Sequence, residues 1–147
     1  MKTALAGLLS VLVLAMSLWA QKPAVEGRAD STVRAVIYED LQCPDCAAFE
    51  RMLNEKLLPQ YGGKVAFIHR DFPLAKHAWA RRAAIAALSN AHYAELVEHD
   101  YQDGVSRGVV HTPTVFVNGR PFVETFTFEE ISKGIDQALA EALAQTR

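Results

Sequence analysis

Apolar and polar positions follow two different rhythms along the chain. Thr32 to Tyr38 is β-rich and nearly continuous in apolar residues, which predicts a buried strand ending near Glu39-Asp40. From Pro44 the period lengthens. Phe49, Met52, Leu53, Leu57 and Tyr61 recur at helical spacing, predicting a helix to about Leu58, with Pro59 and Gly62-Gly63 as its stop. Lys64 to Arg70 is again strand-like and closes at Asp71-Phe72-Pro73. Strand, helix and strand at this spacing predict a parallel unit.

Residues 76–108 carry no strand signal. Ala78, Trp79, Ala83, Ile85, Ala86 and Leu88 predict one helix, with Trp79 in the core. Ser89-Asn90 breaks it and caps a second, which runs to about Arg107 with Gly108 as its stop; Gly104 weakens the last turn of that helix. Thr114 to Val117 reads as a strand, and Asn118-Gly119 is a strong hairpin signal, so Arg120 to Val123 should return antiparallel. Thr127-Phe-Glu-Glu130 is a capping box, followed by Phe128, Ile131, Ile135, Leu139 and Leu143 on one helical stripe. The order βα-β-αα-ββ-α predicts an α/β fold, a mixed sheet with flanking helices.

The N-terminus is a separate object. Met1-Lys2-Thr3 gives a short positive start, and Ala4 to Trp19 is apolar but for Gly7, Ser10 and Ser17. This reads as a secretory signal peptide over residues 1–20, cut after Ala20 or after Ser17, with an uncut membrane anchor as the competing reading. No cysteine follows the apolar run, which speaks against a lipid-anchored lipoprotein. Residues 21–147 then form one domain, with residues 21–31 as a polar lead-in. The predicted location is periplasmic or secreted, or facing the periplasm from the membrane if the signal stays uncut. Net charge is −2, with basic residues dispersed among acidic ones, so no nucleic-acid partner is indicated.

Export changes how the two cysteines are read. Cys43 and Cys46 are the only pair in the chain, separated by Pro44-Asp45. In an oxidising compartment a close pair favours a disulfide over a zinc half-site, and the neighbourhood lacks histidines at zinc spacing. Because the strand ends just before them and helical periodicity begins just after, Cys43 falls at the helix N-cap and Pro44 at the first helical position. Cys46 lies one turn in. Free N–H groups and the positive end of the helix dipole favour a thiolate at Cys43. Cys46 should be more buried and held as the resolving thiol. A disulfide closing so small a ring removes little chain entropy, so an inert staple is a weaker reading. A metal-binding module of copper-chaperone type, using the same cysteines with His111 as a third ligand, is the alternative from another class. No cofactor and no resident metal is otherwise indicated. In His111-Thr112-Pro113-Thr114 a proline enters a strand; the Thr112–Pro113 bond is cis in a tight loop facing Cys43, or an ordinary trans proline at a strand start.

Four segments together resemble the DsbA-like family of the thioredoxin superfamily: Gly27-x-x-x-Ser31-x-Val33, Tyr38-Glu-Asp-Leu-Gln-Cys-Pro-Asp-Cys46, His69-Arg-Asp-Phe-Pro-Leu74 and Gly108-Val-Val-His-Thr-Pro-Thr-Val-Phe-Val-Asn-Gly119. The resemblance implies a thioredoxin-like mixed sheet with a short helical insertion over residues 72–111. It further implies an exported thiol–disulfide oxidoreductase acting on protein thiols and disulfides, in exchange with a redox partner protein. Carried over, Cys43 attacks, Cys46 resolves, Pro113 is cis, and Thr112 offers its backbone to an extended substrate.

The sequence departs from the family in four places. About 40 residues separate Asp71 from Thr112, a shorter insertion than in the best-known members, so docking to a membrane oxidase is not carried over. Ile37 stands where many relatives have an acid that takes the proton of the buried thiol. His111 stands where glycine is common, either favouring the Cys43 thiolate or sitting solvated in its loop. Asp45 stands where strongly oxidising relatives often have histidine. At roughly 6 Å and an effective dielectric of about 20–40, its charge costs a Cys43 thiolate on the order of 1–3 kcal/mol. About 1.4 kcal/mol corresponds to about 30 mV for the two-electron couple, which predicts a weaker oxidant. Glu39 and Asp40 act in the same sense if they face the site. His77, His92 and His99 are expected on solvated helix surfaces.

Overall fold

The computed structural model describes residues 24–87 and 93–146. Among them, five strands form one sheet in the order β1-β3-β2-β4-β5. They are β1 (Val25–Gly27), β2 (Arg34–Glu39), β3 (Ala66–Asp71), β4 (Thr114–Val117) and β5 (Arg120–Val123). β2 runs parallel to β3 and antiparallel to β4, and the β4–β5 hairpin pairs Val117 with Arg120. Asn118 and Gly119, with φ of 45° and 90°, make its tight turn.

The helices are α1 (Pro44–Met52), α2 (Leu58–Tyr61), α3 (Ala80–Ala87), α4 (Tyr93–Ser106) and α5 (Phe128–Gln145). A π-helical turn, Leu53–Leu57, joins α1 to α2 without a break. The expected stop at Pro59 is therefore corrected. Proline has no N–H to donate, and the widened turn, in which Leu58 N–H bonds back to Leu53 O, accommodates the missing bond. The helix ends at Gly62, the other part of the expected stop.

Each face of the sheet carries its own apolar cluster. Ala35, Ile37, Phe67, Val115 and Val117 face α1 and α5, where Phe49, Leu53, Leu57, Ile131 and Ile135 complete the larger core. Tyr38 and Phe72, with Val36, Phe116 and Tyr101, form a smaller cluster with the helical insertion. Gly104 makes that second contact close. A Cβ there would come within 2.5 Å of the Phe72 ring, so the glycine that weakens α4 as a helix is what lets it approach the sheet.

Three more expectations are corrected. The lead-in contains β1, which pairs antiparallel with β3 and gives the sheet an edge strand; three residues are too few for a period to show in sequence. Trp79 is 47% exposed rather than core. Leu143 is 67% exposed, in a last stretch of α5 whose residues are mostly exposed. The capping box is formed: Thr127 Oγ1 accepts from Glu130 N–H while the Glu130 carboxylate accepts from Thr127 N–H. The expected signal peptide, Leu88, the Ser89-Asn90 break and His92 lie outside the described residues.

Candidate functional site

β2 ends at Glu39, and a short loop delivers Cys43 to the N-cap of α1, with Pro44 opening the first turn. Cys43 caps with extended backbone and no side-chain hydrogen bond to the helix. Its thiol is thus free to point elsewhere, and it donates to the carbonyl oxygen of Thr112 at 3.3 Å. The Thr112–Pro113 peptide is cis, as the family resemblance implies and the segment alone does not decide. The bend brings the chain before β4 back over the start of α1, so residues far apart in sequence share one site.

Cys43 and Cys46 are both free thiols and both buried, at 7% and 4% exposure, so the expected contrast in burial is small. Their surroundings differ more. Burial pushes the Cys46 thiol up to about 12, and the neighbouring Cys43 adds to the shift. Two weaker influences oppose it: the Asp40 N–H lies 3.4 Å from Cys46 Sγ, and the Thr112 hydroxyl faces Cys46 without completing a hydrogen bond. Ile37 is wholly buried in the larger core. Cys46 is therefore a protonated thiol at neutral pH.

Asp45 is exposed and lies on the rim of a groove of about 330 Å³ shared with Phe49, Met52, Glu124 and Phe126. His111 is half exposed, and its Nδ1 pairs with Glu124 Oε1 at 2.9 Å rather than with a cysteine. Among the described residues, Cys43, Cys46 and His111 are not gathered as a set of metal ligands.

Asp40 is the residue whose part the sequence hides. Its side chain is fully buried, and its carboxylate does not turn to the cysteines. It accepts from Gln42 N–H and Leu74 N–H, both at 2.7 Å, and faces His77 Nδ1 at 2.8 Å. One carboxylate thus ties the cysteine loop to the start of the helical insertion. Gln42 adds a second tie, accepting from Trp79 N–H at 3.1 Å. His77 is corrected from solvated to 16% exposed and bonded, whereas His99 is exposed as expected. Glu39 turns away toward His69. No spacing rule finds these pairs, because Asp40 and His77 meet only after β3 has brought the insertion back.

A family model described as Thioredoxin matches residues 20–94 and 83–137. No curated protein matches the chain. Among solved structures, the catalytic domain of Proteus mirabilis ScsC is 16% identical, covering 88% of this chain and 97% of its own, with a TM-score of 0.73. A periplasmic thioredoxin-like protein from Salmonella enterica serovar Typhimurium is 16% identical, with 87% and 97% covered and a TM-score of 0.72. Wolbachia pipientis alpha-DsbA1 is 16% identical, with 90% and 98% covered and a TM-score of 0.67. At this identity the likeness is one of fold.

Proposed function

Because the chain belongs to the thioredoxin family, we propose that it is an exported thiol–disulfide oxidoreductase working through Cys43 and Cys46 on protein substrates. The observation that carries this reading is the contact of the N-cap Cys43 thiol with the carbonyl before cis Pro113, with buried Cys46 one turn behind. An inert staple gains nothing from a thiol facing that carbonyl.

In the reducing direction, the Cys43 thiolate attacks a client disulfide, forming a Cys43–client bond and releasing one client sulfur as thiolate. Cys46, once deprotonated, attacks Cys43, and the second client thiolate leaves. The pair ends oxidised and the client reduced by two electrons; the reverse sequence oxidises a client dithiol. Thr112 supports the client as an added strand through its backbone, and Pro113 shapes that loop. Pro44 and Asp45 tune the pair from the helix N-terminus. His111, engaged by Glu124, acts only at the rim. Exposed Leu41, Trp79 and Val110 near the site suit clients with unfolded apolar segments.

The domain spans residues 21–147, with a cap over 72–111, after a signal peptide over 1–20. Location is periplasmic or secreted, and a separate redox partner protein resets the pair. Among the described residues no helix is long and apolar enough to cross a membrane.

Purified protein should catalyse reduction of insulin by dithiothreitol, and Cys43→Ser should abolish it. Cys46→Ser should instead accumulate mixed disulfides with clients. Because burial raises the Cys46 thiol, release of a preformed mixed disulfide should accelerate steadily as pH rises from 6 to 9. Cys43→Ser with full activity, or a release rate flat in pH, contradicts the assigned roles.

A further inference from the structure

Behind the cysteines, Glu39, Glu50 and His69 converge where β2, α1 and β3 meet. In the parallel β2–β3 pair, Ile37 lies opposite His69 and Glu39 opposite Asp71. Strand alternation therefore puts Glu39 and His69 on the face of Ile37 and Phe67, the face that α1 covers. His69 Nδ1 is 2.6 Å from Glu39 Oε1 and 3.8 Å from Glu50 Oε1. One donor atom from each of the three residues falls within 4.8 Å of the others. On the opposite side of the ring, His69 Nε2 faces Glu26 Oε2 at 3.3 Å.

A proton on the histidine does not complete this group. Nδ1–H can serve Glu39, but 3.8 Å is too long for a hydrogen bond to Glu50. Glu50 Oε1 is a buried atom with no hydrogen-bond partner, although its sister oxygen accepts from Asn54 Nδ2 at 3.3 Å. An orphaned buried carboxylate oxygen is costly, and this one points at an imidazole nitrogen and a second carboxylate.

We propose that Glu39, Glu50 and His69 form a site for a divalent first-row transition ion, with zinc the ion that best suits its one nitrogen and two oxygens. Zinc bonds of about 2.0–2.2 Å to these atoms place neighbouring ligands roughly 3.4 Å apart. The 2.6 Å pair must then open and the 3.8 Å pair close, shifts within reach of side chains that are 16%, 38% and 18% exposed. Glu26 takes the Nε2–H, the carboxylate partner that characteristically orients a ligating imidazole. Three protein ligands leave a fourth position for water. The imidazole and the small number of oxygens disfavour calcium and magnesium. A bound ion clamps the active-site helix to β2 and β3 and removes repulsion among the glutamates.

The test uses the mature chain, stripped with chelator and with Cys43 and Cys46 joined as a disulfide so that the thiols cannot capture zinc. Calorimetric titration with zinc should show one equivalent bound, with a rise in Tm. Glu50→Gln and His69→Gln should each weaken binding at least tenfold, while Glu55→Gln, exposed on the π-helical turn, should leave it unchanged. In the unmutated protein, zinc should shift the His69 Nδ1 resonance in a histidine nitrogen NMR spectrum, a readout independent of how the variants fold. Lack of saturable zinc binding by the oxidised wild type overturns the site, as does binding that leaves His69 unmoved or that persists undiminished in both variants.

Discussion

Asp45 and Asp40 show how differently two carboxylates of one loop act. Asp45 is exposed in the first turn of α1, where an acid favours the helix but opposes a thiolate on the N-cap cysteine. Exposure screens the charge, so its effect on the pair belongs at the low end of the Coulomb range. Asp45→His should make the Cys43–Cys46 couple more oxidising by up to about 30 mV in a glutathione titration. An unchanged potential would remove the electrostatic account of this position. Asp40 is buried and structural: Asp40→Ala leaves the N–H groups of Gln42 and Leu74 without their acceptor. That change should cost about 3 kcal/mol or more in denaturant unfolding, with a larger effect than Asp45→Ala. Asp45 was visible in the sequence because it sits between the cysteines. Asp40 was legible only as an acid of unknown direction.

Among the elements, the join between sheet and helical insertion is the one that sequence periodicity described least. Tyr38 on β2 packs edge-on against Phe72 and donates its hydroxyl to Asp103 on α4. Burial pushes the Asp103 carboxyl up, but the bonds from Tyr38 and Arg107 outweigh it and hold the group below its ordinary value of 3.8. A folded value below the unfolded one contributes stability that is present above about pH 4 and is lost as pH falls through the folded value. Tyr38→Phe should therefore destabilise the protein by about 1–2 kcal/mol at pH 7, with the gap to wild type narrowing at pH 3. Urea unfolding at both pH values checks this; a gap independent of pH would assign the loss to packing alone. Gly104 belongs to the same join. Gly104→Ala improves helix propensity yet forces a methyl group into the Phe72 ring, so the overpacking, about 1–3 kcal/mol, should prevail and lower Tm.

For the whole molecule, the reading of residues 1–20 as a signal predicts that expression in a bacterial host gives a periplasmic product. Mass spectrometry should find it beginning after Ser17 or after Ala20; an intact N-terminus retained in the membrane fraction would support the anchor instead. The sequence by itself determined the parallel βαβ unit, the Asn118-Gly119 hairpin, the capped last helix and the placement of Cys43 at a helix start. Each of these follows from local period, turn chemistry or capping, which act over a few residues. Only the tertiary structure decided that Pro59 is absorbed by a π-helical turn and that Val25–Gly27 adds an edge strand. It also decided that Asp40 reaches His77 and that Glu39, Glu50 and His69 meet beneath α1. These depend on which strands become neighbours, and strand order is set by contacts between segments far apart in the chain, where no local period carries the information.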